Sequence, residues 1–334
     1  LMGTLGTTTP FARYLRRTKF QLSIGQLMAK VFIDGEAGTT GLGIRQRLDA
    51  AGFAELRSID PDKRKDEQAR ADLMAESDLV ILCLPDDAAK QAAALAASLG
   101  NKAPRLLDAS TAHRVADGWV YGFPEMEAGQ ARLIREAARV SNPGCWSTCA
   151  IALIRPLVQA GLIDPDAPPS ISGVSGYTGG GKSMIAEYDS GEVRGSFLYA
   201  AAQGHKHLPE IKAHGLLSRA PVFVPSVGQY AQGMAVAVHM RDLGEAGMKA
   251  AEEALRAAYA GARFVAVVEP SVHEPRVWPE RLNGTNRLEL SVHGNPKTGE
   301  AVLIAVLDNL GKGASGAAVQ NLNLMLGVDE GAGL

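Results

Sequence analysis

The stretch KVFIDGEAGTTG, residues 30–41, decides how the first half of this chain folds. A short apolar strand runs directly into a turn whose glycines let the backbone bend sharply and approach a pyrophosphate. The free N–H groups of a following helix then bind that phosphate. The spacing differs from G-x-G-x-x-G, so the interpretation depends on the strand before the turn and the helix after it. A purely structural turn is the alternative. The candidate dinucleotide contacts here are Gly35, Gly38, Thr39, Thr40 and Gly41.

Strands and helices are predicted to alternate after this turn. Apolar periodicity gives a helix, a strand, a polar helix, a fully buried strand, an alanine-rich helix and a further strand, over residues 42–51, 53–60, 63–76, 79–84, 86–99 and 105–108. This order predicts an α/β fold that begins with a Rossmann-like, doubly wound domain.

The pattern changes at Cys145. A helix over 146–160 is followed by strand-like segments at 170–175, 222–229, 233–240, 263–268, 286–293 and 301–307, with a helix at 245–260 and a last one at 315–326. We therefore predict a dinucleotide-binding domain over 28–143, with residues 310–328 packing back on it. An α+β catalytic and oligomerisation domain is predicted over 144–309. Residues 1–27 have four basic and no acidic residues and are interpreted as a leader that is not native, or else as a transit peptide.

Composition excludes several classes of function. The chain has 334 residues, a net charge of −2 and 21% charged residues, so no basic surface indicates nucleic acid. No apolar run approaches the roughly 20 residues that a membrane span needs. Its three cysteines are too few for a disulfide framework, which favours a reducing, cytoplasmic location.

The choice between NAD and NADP stays open at this stage. Asp60 closes the predicted second strand, where an acid would bond a ribose 2′-hydroxyl and favour NAD. The basic residues directly behind it are suited to a 2′-phosphate instead: Lys63, Arg64 and Lys65.

Cys145 is the candidate nucleophile. In SNPGCWST, residues 141–148, Pro143 and Gly144 break the chain and place Cys145 in the first turn of a helix. Free N–H groups and the helix dipole there are expected to stabilise a thiolate and an oxyanion. Its partner is expected in GHKHLPE, where His205 or His207 acts as acid and base, oriented by Glu210. No metal site is expected, because no helical His pair is present.

Residues 176–183, GYTGGGKS, match the P-loop pattern, but the residues that follow are polar and broken by Gly191. We therefore expect no ATPase. A weaker expectation is that the loop and Lys182 help to bind a phosphorylated substrate.

In their order, the motifs resemble the N-acetyl-gamma-glutamyl-phosphate reductase family, in its shorter, second type. The resemblance covers residues 28–328. It rests on GEAGTTG, LDASTAHR, YGFPE, SNPGCWST, GHKHLPEI and DNLGKGASGAAVQNLNL. It implies reduction of N-acetyl-glutamyl 5-phosphate by NADPH through a Cys145 thioester, in arginine biosynthesis. It also implies a small-molecule substrate and a homodimer or homotetramer.

The resemblance also implies residue roles. His207 would be the acid and base, and Arg114 would hold the phosphate. Other substrate or phosphate contacts would be His205, Asn142, Glu210 and Lys182. Pro85, Ser110 and Asn309 would contact the dinucleotide, and Asn309 would hold the nicotinamide amide. Alternatives are an aspartate-semialdehyde or other acyl-phosphate-linked dehydrogenase, a Cys–His acyltransferase or hydrolase, and a non-catalytic dinucleotide sensor.

Overall fold

The first sheet grows from the strand that precedes the glycine turn. The computed structural model describes residues 28–270 and 276–334, and within them six parallel strands pair in the order β2-β1-β3-β4-β6-β5. They are β1 (Ala29–Asp34), β2 (Ala54–Arg57), β3 (Leu79–Leu82), β4 (Arg105–Asp108), β5 (Val120–Tyr121) and β6 (Arg139–Ser141). The chain leaves β1 for β2 on one side and then crosses to β3 on the other. Ligands bind at the carboxyl ends of the strands where an open parallel sheet reverses its order in this way.

Helices cover both faces of this sheet, because successive residues of a buried strand point to opposite sides. Val31 and Ile33 of β1 pack with Ile44, whereas Phe32 packs with Met74 in a separate core cluster. The helices are α1 (Thr39–Ala51), α2 (Glu67–Ala75), α3 (Asp86–Ser98) and α4 (Gln130–Glu136). The predicted doubly wound arrangement is confirmed.

The second sheet is mixed. Seven strands of the described residues pair in the order β11-β12-β13-β10-β7-β9-β8, with parallel pairing at β11–β12 and β7–β9 and antiparallel pairing elsewhere. They are β7 (Ile171–Gly176), β8 (Phe197–Leu198), β9 (Phe223–Gly228), β10 (Met234–Met240), β11 (Val265–Val267), β12 (Leu288–Gly294) and β13 (Ala301–Leu307). The helices of this half are α5 (Cys145–Gln159), α6 (Gly181–Asp189), α7 (Leu208–His214) and α8 (Gly244–Ala258). Helices α5 and α8 pack against one face of the sheet.

The last helix returns to the first sheet. A π-helical turn at Gly311–Ser315 leads into α9 (Gly316–Leu326), which packs on α1 and α4. Its Val319 and Leu322 are fully buried in the same core cluster as Val31 and Ile33. The first sheet therefore takes part of its core from the end of the chain.

Some predicted details are wrong. The second strand ends at Arg57 rather than Asp60, because β1 pairs with it only as far as that residue. The short elements β5, β6, β8, α4 and α7 were not predicted. The residues after the P-loop-like sequence do form a helix, α6, although only a nine-residue one. The predicted leader, residues 1–27, lies outside the described residues.

A search of the described residues for a helix both long and apolar enough to span a membrane finds none.

Candidate active site

The two sheets meet around a cavity of about 290 Å³. Thr39 and Thr40 of α1 line one side of it, and Cys145 and His207 line the other. Other lining residues come from the loop after β7 and from the turn after β13, including Gly179, Gly180, Gly181, Met184, Asn309 and Gly313. The predicted nucleophile, the histidine motif and the start of the glycine turn's helix therefore share one cavity.

Cys145 is the first residue of α5, as the Pro-Gly break predicts. The first intrahelical bond joins the Thr148 amide to the Gly144 carbonyl at 2.8 Å, so the N–H groups of Cys145, Trp146 and Ser147 have no helical acceptor. Burial nevertheless raises the pKa of the Cys145 thiol, and the Trp146 N–H and the Arg114 charge lower it by less. The expectation of a stabilised thiolate is therefore wrong in its net effect. The thiol needs a base.

Two glycines leave room for the sulfur and its neighbours. A Cβ on Gly144 would lie 2.5 Å from Arg114 Nη1 and 2.6 Å from His207 Nε2. A Cβ on Gly313 would lie 2.7 Å from the Cβ of Cys145. These distances are shorter than normal carbon contacts, so both positions exclude larger residues. They also show that Arg114 and His207 lie directly behind the start of α5.

His207 is buried, and its imidazole is neutral. Burial lowers its pKa well below the ordinary value, with smaller contributions from Arg114, His205 and Lys206. Its Nδ1 atom has no hydrogen-bond partner within the described part of the chain. His205 accepts the backbone N–H of His207 at 3.1 Å, and burial lowers the pKa of His205 to about 4. A neutral imidazole and a protonated thiol that line the same cavity suit general-base catalysis.

Glu210 does not orient the histidine as predicted. Its Oε1 lies 3.9 Å from His207 Nε2, beyond hydrogen-bond distance, and accepts from Arg114 Nη1 at 2.7 Å. Its Oε2 accepts from the Tyr121 hydroxyl at 2.7 Å and from the Gly144 amide at 3.2 Å. The carboxylate is 1% exposed and does not line the cavity. It is a structural anion beneath the site, and the prediction that it contacts substrate is wrong.

Arg114 is held on two sides and keeps one donor group unpaired. Its Nε donates to the Asn142 carbonyl at 3.0 Å, and its Nη1 donates to Glu210. Among the described residues, Nη2 has no acceptor, and the side chain lines the cavity. A guanidinium fixed in this way presents a preorganised donor to an anion.

Two predicted asparagines brace the cavity wall. Asn142 donates from Nδ2 to the Ala314 carbonyl at 3.1 Å and accepts at Oδ1 from Asn321 at 3.0 Å. Asn309 accepts the Gly233 amide at 2.7 Å and donates to Thr178 Oγ1 at 3.0 Å. Both residues line the cavity, and one Nδ2 hydrogen of Asn309 remains for a ligand.

Lys182 lies apart from the cavity. It is exposed on α6, whereas the backbone of Gly179–Gly181 and the Met184 side chain form the lining. Lys182 is therefore not part of the cavity lining, and its contact with substrate phosphate stays a prediction. Asp308, which follows β13, accepts from the Gly284 and Leu310 amides at 2.8 and 2.9 Å. The described residues contain no cluster of His, Cys, Asp or Glu that could hold a metal.

The glycine turn has the geometry that a pyrophosphate needs. Gly35 has a φ of +88°, and a Cβ on Gly41 would lie 2.7 Å from Glu36 Cα. Gly38 precedes α1 with no side-chain cap, so the amides of Thr39, Thr40 and Gly41 have no helical acceptor. These free donors and the positive end of α1 point to the cavity wall that Thr39 and Thr40 form. The residues therefore fit a dinucleotide.

The other predicted dinucleotide contacts lie at neighbouring strand ends. Pro85 follows β3 and precedes α3. Ser110 follows β4 and is buried, and its hydroxyl donates to Asp108 Oδ2 at 2.8 Å. Neither residue lines the cavity with Cys145, although Ala109 does.

Three site residues were not assigned from the sequence. Tyr121 lies within the quoted YGFPE motif, bonds Glu210, and stacks on His214 with ring centroids 3.7 Å apart. Lys206, within GHKHLPE, lines the cavity and lies between the two histidines. Tyr199 also lines the cavity, with its ring centroid 5.5 Å from that of His205. No sequence pattern marks Tyr199, whereas the motifs contain the other two.

Comparison with known proteins assigns both halves of the chain. Residues 12–134 match the semialdehyde dehydrogenase NAD binding domain, and residues 145–309 match the semialdehyde dehydrogenase dimerisation domain. The N-acetyl-gamma-glutamyl-phosphate reductase of Chelativorans sp. is 49% identical over 310 residues, covering 90% of this chain and 99% of that protein. The reductase of the same name from Allorhizobium ampelinum is 50% identical over 310 residues, with the same coverage.

Solved structures show the same fold. Aspartate semialdehyde dehydrogenase II of Vibrio cholerae, complexed with ASA, superposes with a TM-score of 0.65 at 15% identity, covering 90% of this chain and 98% of that one. Aspartate semialdehyde dehydrogenase of Candida albicans with NADP superposes with a TM-score of 0.61 at 12% identity, with the same coverage. At these identities the likeness concerns the fold alone.

Proposed function

The chain belongs to the N-acetyl-gamma-glutamyl-phosphate reductase family, and we propose that it reduces N-acetyl-L-glutamyl 5-phosphate to N-acetyl-L-glutamate 5-semialdehyde and phosphate with NADPH. One observation of the site supports this most directly. Cys145, at the unbonded start of α5, shares its cavity with the neutral His207, with Arg114 and with the free amides of α1. A nucleophile, a base, an anion donor and a dinucleotide site together suit reduction of an acyl phosphate.

The first step is attack of the Cys145 sulfur on the acyl carbon. His207 accepts the thiol proton as the sulfur–carbon bond forms, because burial lowers its pKa and leaves the imidazole unprotonated before the reaction. The free amides at the start of α5 stabilise the oxyanion that develops on the carbonyl oxygen. The bond from carbon to the phosphate oxygen then breaks, and the thioester remains on Cys145.

Arg114 stabilises the negative charge of the leaving phosphate. The unpaired Nη2 donates to a phosphate oxygen, while Glu210 and Asn142 keep the guanidinium in place. Lys206 lines the same cavity and adds a second positive charge. Arg114 thus acts by stabilising the leaving group.

NADPH, when bound, supplies the hydride that reduces the thioester. Asn309, with its remaining Nδ2 hydrogen, and the turn from Gly35 to Gly41 would hold it. Hydride addition leaves an oxyanion on the former thioester carbon. The carbonyl then re-forms as the carbon–sulfur bond breaks, and protonated His207 returns its proton to the Cys145 sulfur. The aldehyde leaves and the thiol is restored.

The charge of the cavity favours an acetylated substrate. Among the described residues, no Asp or Glu lines it, whereas Arg114 and Lys206 do. An aspartyl phosphate carries a free ammonium that would lack a carboxylate partner there. The carboxylate of Glu125, in the YGFPE motif, is already bound by Lys312 Nζ at 2.8 Å to each oxygen. An N-acetyl group removes that positive charge.

We also propose a homodimer or homotetramer built on the second sheet. Helices α5 and α8 cover one face, and the other carries partly exposed apolar residues, among them Val224, Ala237 and Ile304. The match of residues 145–309 to a dimerisation domain supports this assembly.

The domain division would be 28–143 with 310–328, and 144–309. A cytoplasmic location follows from the need to keep Cys145 a free thiol.

The test is the reverse reaction. N-acetyl-glutamate semialdehyde, NADP and phosphate are supplied, and absorbance is followed at 340 nm, with aspartate semialdehyde in parallel. We expect phosphate-dependent cofactor reduction with the acetylated aldehyde alone. Equal rates with aspartate semialdehyde would contradict the substrate assignment. Absence of reduction with either aldehyde, from folded protein, would instead favour a Cys–His acyltransferase or hydrolase.

A further inference from the structure

A cluster of three polar side chains lies beside the glycine turn, away from Cys145. Arg45, on α1, donates from Nη1 to Glu36 Oε2 at 2.8 Å and to Ser58 Oγ at 2.5 Å. The Ser58 hydroxyl donates to the same Glu36 oxygen at 3.0 Å. Arg45 Nε also lies 3.5 Å from Asp49 Oδ2 on the helix surface. Two donors therefore converge on one carboxylate oxygen.

The cluster lies just beyond the carboxyl ends of β1 and β2. Glu36 belongs to the turn after β1, and Ser58 is the first residue after β2, the parallel neighbour of β1. In dinucleotide-binding folds the end of the second strand reads the ribose 2′ position, by an acid for a hydroxyl or by an arginine for a phosphate. Asp60, predicted for this role, is turned to its own loop and accepts the Asp62 amide at 3.0 Å.

We propose that Arg45 and Ser58 bind the 2′-phosphate of NADP(H), and that Glu36 competes with the phosphate for these two donors. The inference rests on the proposed function for the presence of a dinucleotide. A guanidinium and a hydroxyl are suitable phosphate ligands. The Arg45 and Glu36 side chains are 35% and 18% exposed, so a ligand can reach them.

Glu36 is expected to affect the binding of NADP and of NAD in opposite directions. Its carboxylate accepts the hydrogen bonds that a phosphate would accept, and its charge repels a phosphate dianion. The same carboxylate is a suitable acceptor for the 2′-hydroxyl of NAD. Loss of the Glu36 charge should therefore strengthen NADP binding and weaken NAD binding, whereas loss of Arg45 should weaken NADP binding alone.

The experiment measures nucleotide binding to the full chain by calorimetry, without turnover. The probes are 2′,5′-ADP and 5′-AMP, which differ only in the 2′-phosphate, together with NADP and NAD. We expect 2′,5′-ADP to bind at least tenfold more tightly than 5′-AMP. Arg45→Ala should lose roughly tenfold or more of the affinity for 2′,5′-ADP, as a charge-assisted hydrogen bond implies, and leave 5′-AMP unchanged.

Three further variants make the test specific. Glu36→Gln should bind 2′,5′-ADP several-fold more tightly, and Ser58→Ala should bind it less tightly. Arg47→Ala removes the same charge from the same helix and should change neither probe. Thermal unfolding of each variant shows whether its fold is retained.

The possible failures are distinguishable. Equal binding of the two probes, or an Arg45→Ala protein that binds both as before, would overturn this inference and leave the proposed reduction through a Cys145 thioester intact. Weaker NADP binding in Glu36→Gln would overturn the competition. Failure of every nucleotide to bind to folded protein would overturn both this inference and the proposed function.

Discussion

Glu210 provides the most demanding test of the site, because one carboxylate holds three separate parts of it. Its oxygens accept from Arg114, from the Tyr121 hydroxyl and from the amide that begins α5, and the residue is 1% exposed. Glu210→Gln keeps the shape and removes the charge. Arg114 then stays buried without its counter-ion, and the new amide cannot accept from both Arg114 and the Gly144 N–H.

The magnitude follows from the burial of the pair. Breaking a buried ion pair by removing one partner costs about 3–5 kcal/mol, against a total stability of about 5–15 kcal/mol for a protein domain. We expect the free energy of unfolding in urea at pH 7 to fall by an amount in the first range. We also expect kcat/KM to fall roughly 100-fold, because the start of α5 and Arg114 both shift.

The control for Glu210→Gln is Glu252→Gln, which breaks an exposed helical pair with Arg256 and should cost no more than about 1 kcal/mol. A loss below 1 kcal/mol for Glu210→Gln, with normal kcat/KM, would refute the view that this carboxylate organises the site. A loss of stability with full activity would restrict its role to folding.

Three further predictions follow from the same geometry. Cys145→Ser should abolish turnover at 340 nm while NADP still binds in a titration, because the turn proposed to hold the dinucleotide lies on another segment; loss of both would indicate misfolding. Gly144→Ala should lower kcat at least tenfold, since its Cβ would collide with Arg114 and His207, and normal kinetics would show that the neighbours move aside. Burial lowers the folded-state pKa of His205 to about 4 from an ordinary 6.5, so the stability it contributes is present above pH 6.5 and is lost as pH falls toward 4. Urea unfolding over this range should show a shallower pH dependence in His205→Asn, and an unchanged dependence would place the titration elsewhere.

Features that depend on a few adjacent residues could be predicted from the sequence. The Pro-Gly break places Cys145 at the start of α5, and the glycines of residues 35–41 form the expected turn, because both depend on a few adjacent residues. The buried strand at residues 79–84 was also predicted, though it ends at Leu82. Its uniform apolar character marks it in the sequence.

Long-range partners were not predictable in the same way. The spacing of His207 and Glu210 suggests a pair, but residues 96 and 89 positions away take the carboxylate instead. The end of β2 depends on how far β1 pairs with it, and β2 ends at Arg57, so Ser58 rather than Asp60 is the residue that follows the strand. Whether Lys182 joins the cavity lining depends on how the short helix α6 is placed in the fold, and the structure leaves this side chain exposed.

Because α9 packs on the first sheet, that sheet cannot complete its core until the end of the chain has been synthesised. Val319 and Leu322 complete a core whose other members lie on β1, β3, β4, β6, α1 and α4 as well as on α9 itself. A ribosome that has finished the first sheet must still add roughly 185 residues before this helix is complete, which takes roughly 9–37 s at the usual rate of synthesis. During that interval the nascent chain exposes an apolar surface that chaperones can bind. The earliest-synthesised half of the enzyme is thus among the last to reach its native state.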